Sequence, residues 1–132
     1  YIKKSELYFK KKYNLPCINI VSSTLNFIEN RKKDISIISP YNKIITKKFL
    51  ALIKNKSCIS SISNLSLNSE EEIDDTNRIL KKLKLNTFKN DLLFIGGGVT
   101  ISSFSKFYKN EYGYNVYSSP IILIKDVINL LK

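Results

Sequence analysis

The spacing of apolar and polar positions divides the chain into short strands and amphipathic helices. Asp91 is followed by four large apolar residues, Leu92 to Ile95, then by Gly96, Gly97 and Gly98. Thr100 leads from the glycines into another amphipathic run. This order predicts a buried parallel strand, a tight turn and a helix from about Ser102. A turn at the carboxyl end of a central strand is where open α/β sheets place their ligands. Residues 34–39 predict a second strand, stopped by Pro40, which cannot donate to a sheet ladder. Residues 58–63 predict a weaker strand near a sheet edge, residues 114–118 a final strand, and residues 15–21 a short one near the start.

Between these runs the spacing changes to that of helices. Residues 5–13 predict a helix capped by Ser5. Residues 24–31 predict one capped by Ser22 or Ser23, burying Leu25 and Ile28. Residues 43–55 carry a stripe of Ile45, Phe49, Leu52 and Ile53. Ser69 and Glu72 have capping-box spacing. The acids that follow Ser69 and the lysines at 81, 82 and 84 complement a helix dipole. That acidic run reads as a solvated helix start, not as a metal site, because it leaves Ile73, Ile79, Leu80 and Leu83 for the core. The helix from Ser102 buries Phe104, Phe107 and Tyr108 and ends on Gly113, suited to a left-handed cap. Ser119 and Pro120 open the last helix, which is expected to bury Ile121, Ile124, Val127, Ile128 and Leu131. The alternation predicts a three-layer α/β fold with a mostly parallel four-stranded sheet flanked by helices.

The two ends of the chain also resemble each other. Residues 9–18 lie over residues 108–117, with Tyr13 on Tyr112, and paired serines follow each segment. One reading is a duplicated two-domain fold. Residues 1–32 are then the C-terminal tail of a missing first α/β domain, and residues 33–132 are the second. The other reading is a chance match between two generic strand–helix units.

Composition narrows the chemistry. The 132 residues include no histidine, which excludes Ser-His-Asp and Cys-His catalysis within the chain. Cys17 and Cys58 lie far apart with no CxxC spacing, so no metal site is expected. Lys plus Arg number 22 against 11 acids, a net charge of +11. Lysine greatly outnumbers arginine and is spread over most of the expected helices. That distribution argues for compositional bias over a nucleic-acid surface, which enriches arginine and interleaves aromatics. No apolar run approaches the roughly 20 residues of a membrane span. A cytoplasmic protein with no membrane partner is expected, with homo-oligomerisation left open.

Three stretches then carry a family resemblance: residues 35–41 (ISIISPY), 91–100 (DLLFIGGGVT) and 111–119 (EYGYNVYSS). In order and spacing they resemble the C-terminal half of the aspartate/glutamate racemase superfamily. The arylmalonate decarboxylase and maleate cis-trans isomerase branch is the most similar. The resemblance implies two similar α/β domains, a cleft between them, and cofactor-free chemistry at a carbon next to a carboxylate. Racemases of this kind use one cysteine from each domain. The decarboxylases use the second-domain cysteine and the isomerases a first-domain cysteine.

By that resemblance, Tyr41 hydrogen-bonds the substrate, Pro40 is its turn proline, and the amides of Gly97 and Gly98 help hold the anion. Thr100 is a candidate hydroxyl contact. The second-domain cysteine falls at Gly96, so no catalytic residue is expected in this chain. The expected function is the C-terminal domain of a cofactor-independent racemase, isomerase or decarboxylase acting on a small carboxylate. The alternative is a non-catalytic descendant that binds a small anion or a partner. A basic nucleic-acid-binding domain ranks third.

Overall fold

The computed structural model describes residues 2–14, 17–67, 83–84, 87–96 and 101–132. Its strands are β1 (Ile35–Ser39), β2 (Ile59–Asn64), β3 (Asp91–Phe94) and β4 (Val116–Ser118). They form one parallel sheet in the order β2-β1-β3-β4. Its helices are α1 (Ile2–Tyr13), α2 (Ile20–Glu29), α3 (Lys43–Ala51), α4 (Ser102–Tyr112) and α5 (Ser119–Leu131). The fold is a three-layer α/β arrangement, and β2 lies at an edge.

The layers follow from strand periodicity. Ile38, Leu92, Phe94 and Val116 face one way and pack against Phe104 and Tyr108 of α4. Ile35, Ile37, Leu93 and Ile95 face the other way. There they meet Ile28 of α2, Ile53 just beyond α3, and Ile122 of α5. Both β1 and β3 are buried along their whole length, as expected of central parallel strands covered on both faces.

Each polar side chain in β1 and β3 has a partner. Ser39 Oγ lies 2.6 Å from Thr46 Oγ1, and Ser36 Oγ donates to Asn90 Oδ1 at 2.7 Å. Asp91 pairs with Arg31, and both side chains are 11% exposed. The second Asp91 oxygen accepts the Asn115 N–H at 2.8 Å, fixing the start of β4. The Arg31 guanidinium lies over the Phe27 and Tyr117 rings, 5.4 and 5.1 Å from their centroids. This one ion pair therefore joins the loop after α2, β3 and β4.

Several sequence expectations change. Residues 17–19 are irregular and Ile20 already belongs to α2, so the strand expected over 15–21 does not form in its described part. Asn19, not Ser22 or Ser23, is the cap: its side chain accepts the Ser22 N–H at 2.8 Å. Ser118, not Ser119, caps α5 by accepting from Ile121 N at 3.4 Å. The helix α3 ends at Ala51, short of 55, and leaves Ile45 and Leu52 about half exposed. Phe107 is also exposed, as are Ile124, Val127, Ile128 and Leu131 on α5. Only the first turn of α5 reaches the core, through Ile122. The capping-box helix expected after Ser69 lies outside the described residues, except for Leu83, which is buried, and exposed Lys84.

The two chain ends share their cap geometry. Asn14 has φ 51° and its N–H reaches Lys10 O at 2.9 Å; Gly113 has φ 78° and its N–H reaches Lys109 O at 2.9 Å. With Tyr13 laid on Tyr112, the caps Asn19 and Ser118 also coincide. The helices α2 and α5 that follow pack against each other. No helix among the described residues is long and apolar enough to cross a membrane.

Two predictions follow from this packing. Asp91→Ala leaves the Arg31 charge buried without its partner and should cost about 3 kcal/mol in urea denaturation. A cost under about 1 kcal/mol would show that the pair is not holding β3. Burial first, then Tyr114, Asp91 and Tyr112, push the Tyr108 hydroxyl up to about 12. The folded protein thus keeps a proton that the unfolded chain releases near pH 10. This residue's contribution is complete below about pH 10 and is lost as pH rises towards 12. Tyr108→Phe should flatten the alkaline decline in stability; an unchanged slope over that window assigns the decline to other groups.

Candidate functional site

The strand order fixes where a ligand fits. From β1 the chain passes through α3 on one face of the sheet, and from β3 it passes through α4 on the other. The segments leaving these neighbouring strands diverge, which opens a crevice at their carboxyl ends. A cavity of about 280 Å³ occupies this end of the sheet. Ile20 and Val21 of α2, Ile45 and Phe49 of α3, and Ile95 form its apolar walls. Thr24, Tyr41, Gly96 and Ser119 supply its polar atoms.

The turn after β1 is held by short-range hydrogen bonds. Asn42 caps α3 by accepting the Ile45 N–H at 2.9 Å. Thr46 Oγ1 donates to Asn42 O at 2.9 Å and also meets Ser39 Oγ. Ser39 Oγ in turn accepts the Tyr41 N–H at 3.3 Å. Pro40 is buried, and its carbonyl accepts from Leu67 N at 2.9 Å. Pro40 itself does not line the cavity; it fixes the turn that delivers Tyr41 to it.

Across the crevice, Gly96 has φ +115°, a conformation that side chains disfavour. The Tyr41 ring fills the space in front of it. A Cβ built on Gly96 would lie 2.8 Å from Tyr41 Oη and 3.2 Å from Cζ. The backbone angle therefore demands glycine, and any side chain here would also displace the tyrosine. The Gly96 N–H points towards Ser119 Oγ at 3.4 Å. Tyr41 Oη, the Gly96 amide and the Ser119 hydroxyl thus converge on one end of the cavity.

Of the residues expected from sequence, Tyr41 and Gly96 come together here, while Gly97, Gly98 and Thr100 lie outside the described residues. Sequence reasoning misses Ser119 and the α2 residues Ile20 and Val21. Sequence predicts Ser119 as a helix cap, but Ser118 caps α5 and the Ser119 hydroxyl faces Gly96. The α2 residues were missed because residues 15–21 read as a strand; the signal was Asn19 three residues before Ser22, an N-cap spacing.

Neither cysteine lines the cavity. Cys58 is buried at the amino end of the sheet, donates from Sγ to Ile28 O at 3.3 Å, and has its thiol pushed up by burial. Cys17 lies in the segment before α2, beside Glu6, Leu7 and Lys10. No group of acids or cysteines able to hold a metal ion occurs among the described residues. A second cavity of about 380 Å³, with Lys33, Lys89 and Lys109 at its margin, lies at the opposite end of the sheet. Its floor is the structural Asn90–Asp91 corner.

No family model, no curated protein and no solved structure matches the chain. The likeness to the racemase superfamily therefore rests on the three sequence stretches alone.

The geometry at Gly96 makes a stability prediction. Gly96→Ala should cost about 2 kcal/mol, from backbone strain together with displacement of Tyr41. In a Tyr41→Ala background the displacement part vanishes and about 1 kcal/mol remains. A substitution that is neutral in both backgrounds would contradict the positive φ.

Proposed function

We propose that this chain is the carboxylate-holding domain of an enzyme of the aspartate/glutamate racemase kind, close to the maleate isomerase and arylmalonate decarboxylase branch. The observation that carries the reading is the cavity where the segments leaving β1 and β3 diverge, with Tyr41 packed against Gly96 in its wall. These are the two described positions that the family resemblance assigns to the substrate tyrosine and to the second-domain cysteine. The Gly96 amide and the hydroxyls of Tyr41 and Ser119 are the donors for one carboxylate or a developing enolate. They sit beside the amino end of α5, where the helix dipole favours negative charge.

In this reading the chain's own residues bind and orient, and proton transfer belongs to a group supplied from outside it. No thiol, carboxyl, imidazole or ammonium group is among the described residues lining the cavity. The same fact, together with the closed Cβ position at Gly96, favours a second reading: a non-catalytic small-carboxylate binder.

Calorimetry with benzoate tests the shared claim. Tyr41→Phe removes one hydrogen bond to a charged group and should weaken binding about tenfold. Equal affinity of the wild type and the variant would remove Tyr41 from the site. Exchange of α-hydrogens in deuterated water tests what the two readings share, that the chain itself moves no proton. The chain alone should leave 2-phenylpropionate unexchanged, and exchange that disappears in Tyr41→Phe would make the tyrosine a proton donor.

A further inference from the structure

Almost all of α1 faces solvent. From Lys4 to Asn14 every residue is exposed except Glu6, which is partly buried. Glu6 is the only acid of the helix, and its carboxylate turns to the start of α2, where it accepts from Asn19 Nδ2 at 2.6 Å. Lys4, Lys10, Lys11 and Lys12 are left in water. Three rings stand among them: Tyr8, Phe9 and Tyr13 are each about half exposed. Phe9 lies edge-on to Tyr8 and stacked on Tyr13, with 5.8 Å between centroids in both pairs.

We propose that this face of α1 binds single-stranded nucleic acid, with phosphates on the lysines and unpaired bases against the rings. The inference goes beyond the carboxylate site and does not rest on it, since no described residue of α1 lines that cavity. The lysines of the other helices are diffuse, and their spread argues for compositional bias. On α1 they interleave with exposed rings, which is the pattern that the chain's total charge lacks.

Charge selects the sign of the partner. Four exposed lysines against one engaged acid, in a chain of net charge +11, attract a polyanion. Lysine suits contact without base reading, because its ammonium meets phosphate as a point charge. The rings select the kind of polyanion. Lys12 Nζ lies 5.4 Å from the Tyr8 centroid and 5.3 Å from that of Tyr13, and it donates to Tyr8 Oη at 3.1 Å. A helix that sinks into a lipid surface keeps its cations opposite its apolar face. Here the ammonium stands among the rings, so burying them in lipid would bury the charge as well. A single strand meets both groups without leaving water: its phosphates pair with lysine, and every base has a face that stacks on a ring. A duplex keeps those faces within its own stack.

The test is fluorescence anisotropy of a labelled oligothymidylate of about 20 nucleotides, titrated with the full chain at several salt concentrations. Binding should weaken with salt with a log–log slope of about −2, as for three phosphate contacts on a single strand. Lys11→Gln with Lys12→Gln should make the slope shallower by about 1.4. Lys47→Gln with Lys48→Gln removes the same charge from exposed positions on α3 and should leave the slope unchanged. Tyr8→Ala and Phe9→Ala should each weaken binding about fivefold or more, and a duplex of the same length should bind less tightly than the single strand. All these positions are exposed, so each variant keeps the fold. Equal effects of the two lysine pairs would overturn the proposal in favour of diffuse charge. Unchanged affinity in both ring variants, or a duplex bound as tightly as the single strand, would remove stacking and overturn it too. Absence of binding at about 50 mM salt, or capture of the chain by phosphatidylserine vesicles but not by the oligonucleotide, would overturn it outright.

Discussion

The approach of Tyr41 to Gly96 is the constraint on which the site depends. These residues follow neighbouring parallel strands whose connections leave for opposite faces of the sheet. Their meeting is what remains of the crevice once both strands are packed. The positive φ of Gly96 turns the chain sharply enough for the ring to lie over its Cα. The Ser39–Thr46–Asn42 hydrogen bonds hold the other side, so that the ring position is set by the backbone of the β1 turn. A side chain at position 96 and the tyrosine in its present place exclude each other. The turn thus presents an amide and a phenol to the cavity.

The opposite end of the sheet does a different task with similar residue types. There Asp91, Arg31, Asn90 and Tyr108 satisfy one another, and the charged and hydroxyl groups are consumed by structure. At the carboxyl end the donors are neutral and less engaged. This asymmetry separates the two cavities better than their volumes do. The lysine-edged one is floored by groups that already have partners, while the apolar one ends in groups that make few hydrogen bonds among the described residues.

How far sequence could reach is clear from particular residues. The strands β1 and β3 were legible because a strand covered on both faces must be apolar nearly throughout, and Pro40 and the glycines mark their ends. The cap at Gly113 was legible for the same local reason. Residues 17–21 were not: a short apolar run fits a strand or a buried helix start equally, and Asn19 decides it by capping α2. The exposed stripe of Ile124, Val127, Ile128 and Leu131 shows another limit. Periodicity identifies a face, but what covers that face depends on distant parts of the fold. The site divides in the same way: Tyr41 and Gly96 stand at readable turns, whereas Ile20, Val21 and Ser119 reach the cavity only because α2 packs on α5.

The central claim is that a carboxylate sits in the cavity at the carboxyl end of β1 and β3, beside Tyr41, Gly96 and Ser119. Amide chemical-shift mapping during titration with phenylacetate tests it most directly. The account predicts that the large shifts cluster at Ile20 to Thr24, Tyr41, Ile95, Gly96 and Ser119, with Asn90, Asp91 and Asn115 unmoved. Shifts centred on Lys33, Asn90 and Asn115, or no shifts at saturating ligand, would contradict it.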